Sequence, residues 1–224
     1  MNTRHIILSR KNVAYYLLGF VVLGLAVNIM NTSGLGVGAW DTVTINLRSF
    51  FQIKVGWEFV SIGMMSLLVS SIVFTIVMLY RKDKRLVFML VPIALVAVFI
   101  DIWYFLLFEP IELQQIAWQL AFYVTGSLLL PLGLTLIVKS TFPAFVFDEW
   151  MKVIVDITNA NRMLYPRLAI EALGIAIGAV FGYLTFYATE GDFGAVDIGS
   201  FVFALTLSPI MHMWFTVLKV NHRG

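Results

Sequence analysis

The chain has 224 residues, 60% of them hydrophobic and only 12% charged, against about 25% charged in ordinary soluble domains. A soluble globule of this size cannot hide that much apolar surface, so the bilayer is the expected solvent. The formal charge of +2 decides little, and the absence of cysteine excludes disulfides and thiolate chemistry.

Arg4, Arg10 and Lys11 precede an apolar run from about Asn12 to Met30. The flanks are those of a signal peptide. The run, however, is long enough to span and lacks a small-x-small cleavage pattern, so it reads as a retained first helix. Five further apolar stretches follow, giving expected spans at 13–30, 57–80, 86–108, 116–138, 168–187 and 198–217. The turn Arg81-Lys82-Asp83-Lys84-Arg85 is short and strongly basic and belongs on the cytoplasmic side. With that turn inside, both termini and the 139–167 segment are cytoplasmic as well. Of the 15 basic residues only Arg48 and Lys54 then lie outside, where Glu109, Glu112, Glu190 and Asp192 gather. This is the positive-inside pattern.

The stretch from Gly34 to Phe51 is not an ordinary loop. Gly34, Gly36 and Gly38 permit close backbone approach and positive φ. Trp40, Val43, Leu47 and Phe50 then recur at helical spacing, with Asp41, Thr44 and Arg48 on another face. A counterpart lies at Pro143–Thr158, where Phe147, Trp150, Met151 and Ile154 share a face and Asp148 and Lys152 are one turn apart. Laying Leu23-Gly24-Leu25 on Leu132-Gly133-Leu134 superposes spans one, two and three on four, five and six. A two-residue adjustment then brings Trp40-Asp41 onto Phe147-Asp148. Each half has an odd number of spans, so the second enters the membrane from the opposite side, as in the inverted repeats of many secondary transporters. The two special segments are either interfacial helices anchored by Trp40 and Trp150, or re-entrant helices lining a cavity from opposite faces.

Polar residues inside spans are expensive. Asp101 lies well within span three and is read as a proton- or cation-coupling carboxylate or as a structural hydrogen bonder. Arg167 and Glu171, one turn apart at the start of span five, are a local ion pair, or else a gate or a substrate contact. Asp197, with Gly199 and Ser200, either caps span six or helps bind a cation. His212 follows Pro209 in span six and is either structural or a proton-relay partner of Asp101. Asn28 and Gln119 are expected to bond between helices. No catalytic constellation, metal-ligand spacing or phosphate-cradling loop is present, so neither enzymatic activity nor a metal or other cofactor is expected. The scattered basic residues do not suggest nucleic-acid binding.

Leu35-Gly-Val-Gly-Ala-Trp-Asp-Thr-Val43, followed by Val55-Gly-Trp-Glu-Phe-Val-Ser-Ile-Gly63, resembles the YczE/YyaS/YitT-type bacterial membrane proteins. Leu132–Lys139, Arg167–Glu171 and Asp197–Ser200 through Pro209 are similar to the family's second-half elements, so the resemblance covers about residues 13–217. Ala39 stands where the family often has Pro, Gly56-Trp57 lacks an intervening Thr, and Ser200 replaces the usual Thr. The second-half glycine element has become Phe142-Pro-Ala-Phe-Val-Phe147, with Asp148 retained. The resemblance implies a multi-span inner-membrane protein of largely unassigned function.

The expectation is therefore a single all-α integral membrane domain over 1–224. It comprises six transmembrane helices as two inverted three-helix repeats, about 13–108 and 116–217, each with a re-entrant or interfacial helix after its first span. The functional expectation is a transporter or exporter of an unknown small solute, coupled to an ion gradient and able to work as a homodimer in the lipid bilayer. A non-transporting scaffold or regulator acting through its cytoplasmic faces is the alternative. The candidate pathway residues are Asp101, Asp41, Trp40, Asp148, Arg167, Glu171, Gly34, Gly36, Gly38, Asp197, Ser200 and His212.

Overall fold

A computed structural model describes residues 9–143, 145–158, 164–187 and 191–220. Arg4, Arg162, Glu190 and Arg223, which entered the charge reading, lie outside the described residues. Among the described residues the chain is all-helical: α1 (Arg10–Ser33), α2 (Ala39–Phe50), α3 (Ile62–Arg81), α4 (Leu90–Trp103), α5 (Ile116–Lys139), α6 (Val146–Thr158), α7 (Leu164–Gly182) and α8 (Ile198–Val217). A 3₁₀ segment at Lys84–Met89 leads into α4, and wide π-helical turns extend α4 and α7 to Phe108 and Tyr187.

Six helical stretches are long and apolar enough to cross a membrane: Arg10–Ser33, Ile62–Arg81, Lys84–Phe108, Ile116–Lys139, Tyr165–Tyr187 and Ile198–Val217. Their outer faces carry bare apolar side chains such as Leu79, Leu106, Leu205 and Ile198, each at least 67% exposed. Exposure of that kind makes sense only against lipid. The chain is thus a multi-pass membrane protein. The second span begins at Ile62, later than the 57 read from hydropathy. Gly56 takes a left-handed conformation and Ser61 caps the helix by accepting from the Met64 N–H, leaving Trp57 stacked on Phe51 in the preceding turn.

Helices α1 and α5 form the central pair. Gly19 and Gly133 face each other so closely that a Cβ on either would lie 2.9 Å from the other's carbonyl oxygen, which is how small residues let transmembrane helices approach. Helix α4 lies against α1, and α8 against α5. Asn28, fully buried, donates from Nδ2 to the carbonyls of Gly24 and Ile100. Gln119 does not bridge helices as expected: its amide donates back to the Leu113 carbonyl in the loop just before its own helix.

Several contacts occur twice. Ser33 at the end of α1 donates to the Met30 carbonyl and accepts from the Leu35 N–H; Ser140 at the end of α5 does the same with Ile137 and Phe142. The Trp103 indole of α4 donates to the Val21 carbonyl of α1, and the Trp214 indole of α8 to the Leu128 carbonyl of α5, both at 2.9 Å. Helix α2 packs on α3 and α7, and α6 packs on α7 and α3.

The short helices differ in burial. In α2, Ala39, Thr42, Val43, Thr44, Ile45, Asn46 and Leu47 are all buried, so most of its circumference is covered by protein. Helix α7 makes room for it with Gly174, Gly178 and Gly182, one turn apart; a Cβ at Gly178 would sit 2.2 Å from Thr42 Oγ1. Asn46 ties the far end by donating to the Gly178 and Phe193 carbonyls and accepting from the Ala195 N–H. Helix α6 buries fewer residues, chiefly Val146 and Val153 against Val73 and Val77 of α3. It is tethered there by an Arg81–Asp156 ion pair at 2.7 Å.

Candidate functional site

The first turns of α2 and α6 meet in the interior. The Trp40 ring stacks on Phe147 with centroids 4.7 Å apart and touches Trp150 at 5.1 Å, while Phe145 packs on Phe147. Beside these rings lies a cavity of about 120 Å³ to which all eight helices contribute lining residues. Its polar wall consists of Asp41 and Thr44 from α2, Ser66 and Ser70 from α3, Asp148 from α6, and Arg167 and Glu171 from α7. Leu23, Val27, Val96, Leu130, Leu134, Phe203 and Leu207 close the apolar side.

The electrostatics are unusual for the middle of a membrane protein. Among the described residues none of the four charged cavity side chains forms an ion pair; the two pairs present are Arg81–Asp156 and Lys152–Glu149. The Arg167 guanidinium instead approaches the Met211 sulfur at 4.0 Å. Burial pushes the Asp41 carboxyl up to about 7, and the neighbouring Glu171 adds to the effect. Burial also raises Asp148, opposed by Arg167 and Lys152. The Trp40 indole N–H is buried with no acceptor among the described residues. Unpaired charges of this kind are costly unless something else occupies the space between them.

Six of the residues singled out from the sequence line this cavity: Gly38, Trp40, Asp41, Asp148, Arg167 and Glu171. The others fall elsewhere. Asp101 accepts from Ser61 Oγ at 2.6 Å and from the Gly63 N–H at 2.7 Å, binding α4 to the start of α3, and is not a lining residue. Gly34 ends α1 in a left-handed conformation. Gly36, at φ 109°, passes against the start of α8, where Ser200 Oγ accepts from the Val37 N–H and the Gly199 N–H donates to the Leu35 carbonyl. Gly34 and Gly36 also border a second, separate cavity of about 160 Å³ with Asn31, Asn46 and Ser49. Asp197 caps α8, accepting from the Ile198 N–H. His212 is on the exposed face of α8, away from the central cavity.

Sequence reasoning passed over Ser66 and Ser70. They sit one turn apart in the span, as Ser71 and Thr75 also do on the neighbouring face, so the spacing alone does not say which pair faces inward. Arg48, placed by the sequence on the polar face of α2, donates from its guanidinium to the Tyr104 hydroxyl at 3.0 Å and lies 4.8 Å from the ring centre.

Fold and site together define a multi-pass helical membrane protein with a charged, aromatic-walled cavity at the meeting point of two short internal helices. The chain belongs to a family of unknown function, DUF6198, whose model matches residues 10–216. It is similar to the uncharacterized protein YyaS of Bacillus subtilis (strain 168), 22% identical over 216 residues covering 94% of this chain and 98% of that protein. No solved structure matches the chain. The match supports the YyaS part of the resemblance carried by the Trp40-Asp41 stretch and does not extend it to YczE or YitT.

Proposed function

We propose that this protein moves a small solute across the inner membrane, coupled to an ion gradient, with the central cavity as its binding site. The observation that carries this reading is the convergence of Asp41 and Asp148, from two short helices in different halves of the chain, on one cavity that also holds Arg167 and Glu171. Transporters of inverted-repeat design place their sites at such a junction, where helix ends point at the solute.

The inverted repeat is part of the proposal. It is supported by the duplicated Ser33/Ser140 and Trp103/Trp214 hydrogen bonds and by the reciprocal packing of α2 on α7 and α6 on α3. On this reading α2 and α6 are re-entrant helices entering from opposite faces, and the heavy burial of α2 favours that over a helix lying flat at the headgroups. The basic 81–85 turn and both termini face the cytoplasm. The protein moves its solute without covalent chemistry and works in the lipid bilayer as one copy or as a homodimer. Asp101 serves as a helix clamp, and coupling falls to the cavity carboxylates.

The test is reconstitution into vesicles and measurement of solute-driven proton or sodium flux over a panel of solutes. Wild-type protein carries at least one of them, and Asp41→Asn, with an unchanged melting profile, falls to the level of empty vesicles. Absence of flux under every gradient from folded wild-type protein overturns the transport reading.

A further inference from the structure

We infer that the solute of the central cavity is a small organic cation, an alkylated ammonium, held between the carboxylates of Asp41, Asp148 and Glu171 and the face of Trp40. The inference deepens the transport reading and rests on it for the cavity being the place where solute binds.

The charge count is the first argument. Three carboxylates and a single guanidinium line the cavity, and no ion pair joins them among the described residues. When ionised, the three carboxylates outnumber the one guanidinium and the site is net negative. An anion would have to overcome two excess negative charges in a low-dielectric interior. The second argument is the wall. Trp40, Phe145 and Phe147 line the same space, with Trp40 and Phe147 stacked so that each keeps one face uncovered by the other, and aromatic faces attract ammonium groups whose alkyl substituents shed water readily. The third is spacing. Among the described residues no three His, Cys, Asp or Glu side chains converge closely enough to hold a metal ion. Carboxylates spread around about 120 Å³ suit a bulky charge better than a bare ion.

Proton exchange follows from the same geometry. The charged groups facing Asp41 are Glu171 and Arg167 from α7 and Asp148 from α6; the lining residues of the remaining helices are uncharged. Burial and Glu171 hold the Asp41 carboxyl protonated to unusually high pH. An entering cation displaces that proton, so binding tightens as pH rises and an outward cation can be exchanged for an inward proton.

The experiment is calorimetric titration of the detergent-purified full chain with choline, its uncharged isostere 3,3-dimethylbutan-1-ol, the zwitterion glycine betaine and the anion pivalate. Choline is expected to bind about tenfold or more tightly than each of the others, and more tightly at about pH 8 than at about pH 6. Trp40→Leu should weaken choline about tenfold while Trp40→Phe, which keeps a π face, retains most of the affinity. Asp41→Asn should weaken choline and leave the isostere unchanged. Equal binding of choline and its isostere, preference for betaine or pivalate, affinity that falls with pH, or no choline binding to folded protein would each overturn the inference. The two readings fail separately. Choline bound without flux of any solute removes transport and keeps the cation site; flux of another solute without choline binding does the reverse.

Discussion

Asp101 and Asp41 are both carboxylates inside a membrane protein, and their surroundings give them different work. Both oxygens of Asp101 accept short hydrogen bonds from the first turn of α3, so its charge is satisfied by donors that would otherwise be orphaned at a helix start. The Asp41 carboxylate has no hydrogen-bond donor and no ion pair among the described residues and faces open space. Removing each should therefore fail in different ways. Asp101→Ala costs about 1–2 kcal/mol of stability through the lost cap, read as a lower melting temperature in detergent, while solute binding to the folded fraction persists. If Asp101→Ala instead leaves melting unchanged and abolishes binding, the residue belongs to the pathway and the clamp assignment is wrong.

At the scale of elements, the glycine run 34–38 resolves into three separate jobs. Gly34 needs only its positive φ of 68°, since a Cβ there would meet nothing. Gly36 needs both its φ of 109° and its space, because a Cβ would lie 2.6 Å from the Ser200 backbone nitrogen. Gly38 precedes α2 and accepts from the Thr42 N–H through its carbonyl. Gly34→Ala should thus cost about 1 kcal/mol of strain, and Gly36→Ala clearly more, because the 35–37 segment must also part from α8. Thermal melts of the two variants side by side check the order, and equal losses would contradict the contact. The sequence made α2 and α6 visible because helical periodicity and a Trp-Asp or Phe-Asp pair survive in both. It could not say whether they lie flat or go inside, since amphipathicity looks the same against lipid headgroups and against α7. The Gly174-Gly178-Gly182 stripe was the missing clue: a groove of small residues on α7 has to receive something. Asp101 stayed open between a coupling carboxylate and a structural hydrogen bonder for the opposite reason: its cost inside a span is legible, and its two donors, about forty positions earlier in the chain, are not.

For the whole molecule, hydropathy alone located six spans and their order, missing mainly the start of the second, where Ser61 sets the helix boundary rather than apolarity. The cavity was legible only in part. Asp41, Asp148, Arg167 and Glu171 stood out as costly charges, but they converge through α2 seating on Gly174 and Gly178 of α7 and through Trp40 stacking on Phe147, neither of which carries a charge signal.

Because the chain has no cysteine, a single introduced thiol can report on the cavity. Ser70, 2% exposed and lining the central space, is the best position, since cysteine replaces serine with little change in volume. The measurement is the rate at which Ser70→Cys protein, oriented in vesicles, reacts with a membrane-impermeant methanethiosulfonate supplied from one face and then from the other. A cavity that serves as a two-sided binding site reacts from both faces, with the balance shifting when an ion gradient is applied. Reaction from one face only, or from neither in folded protein, contradicts it.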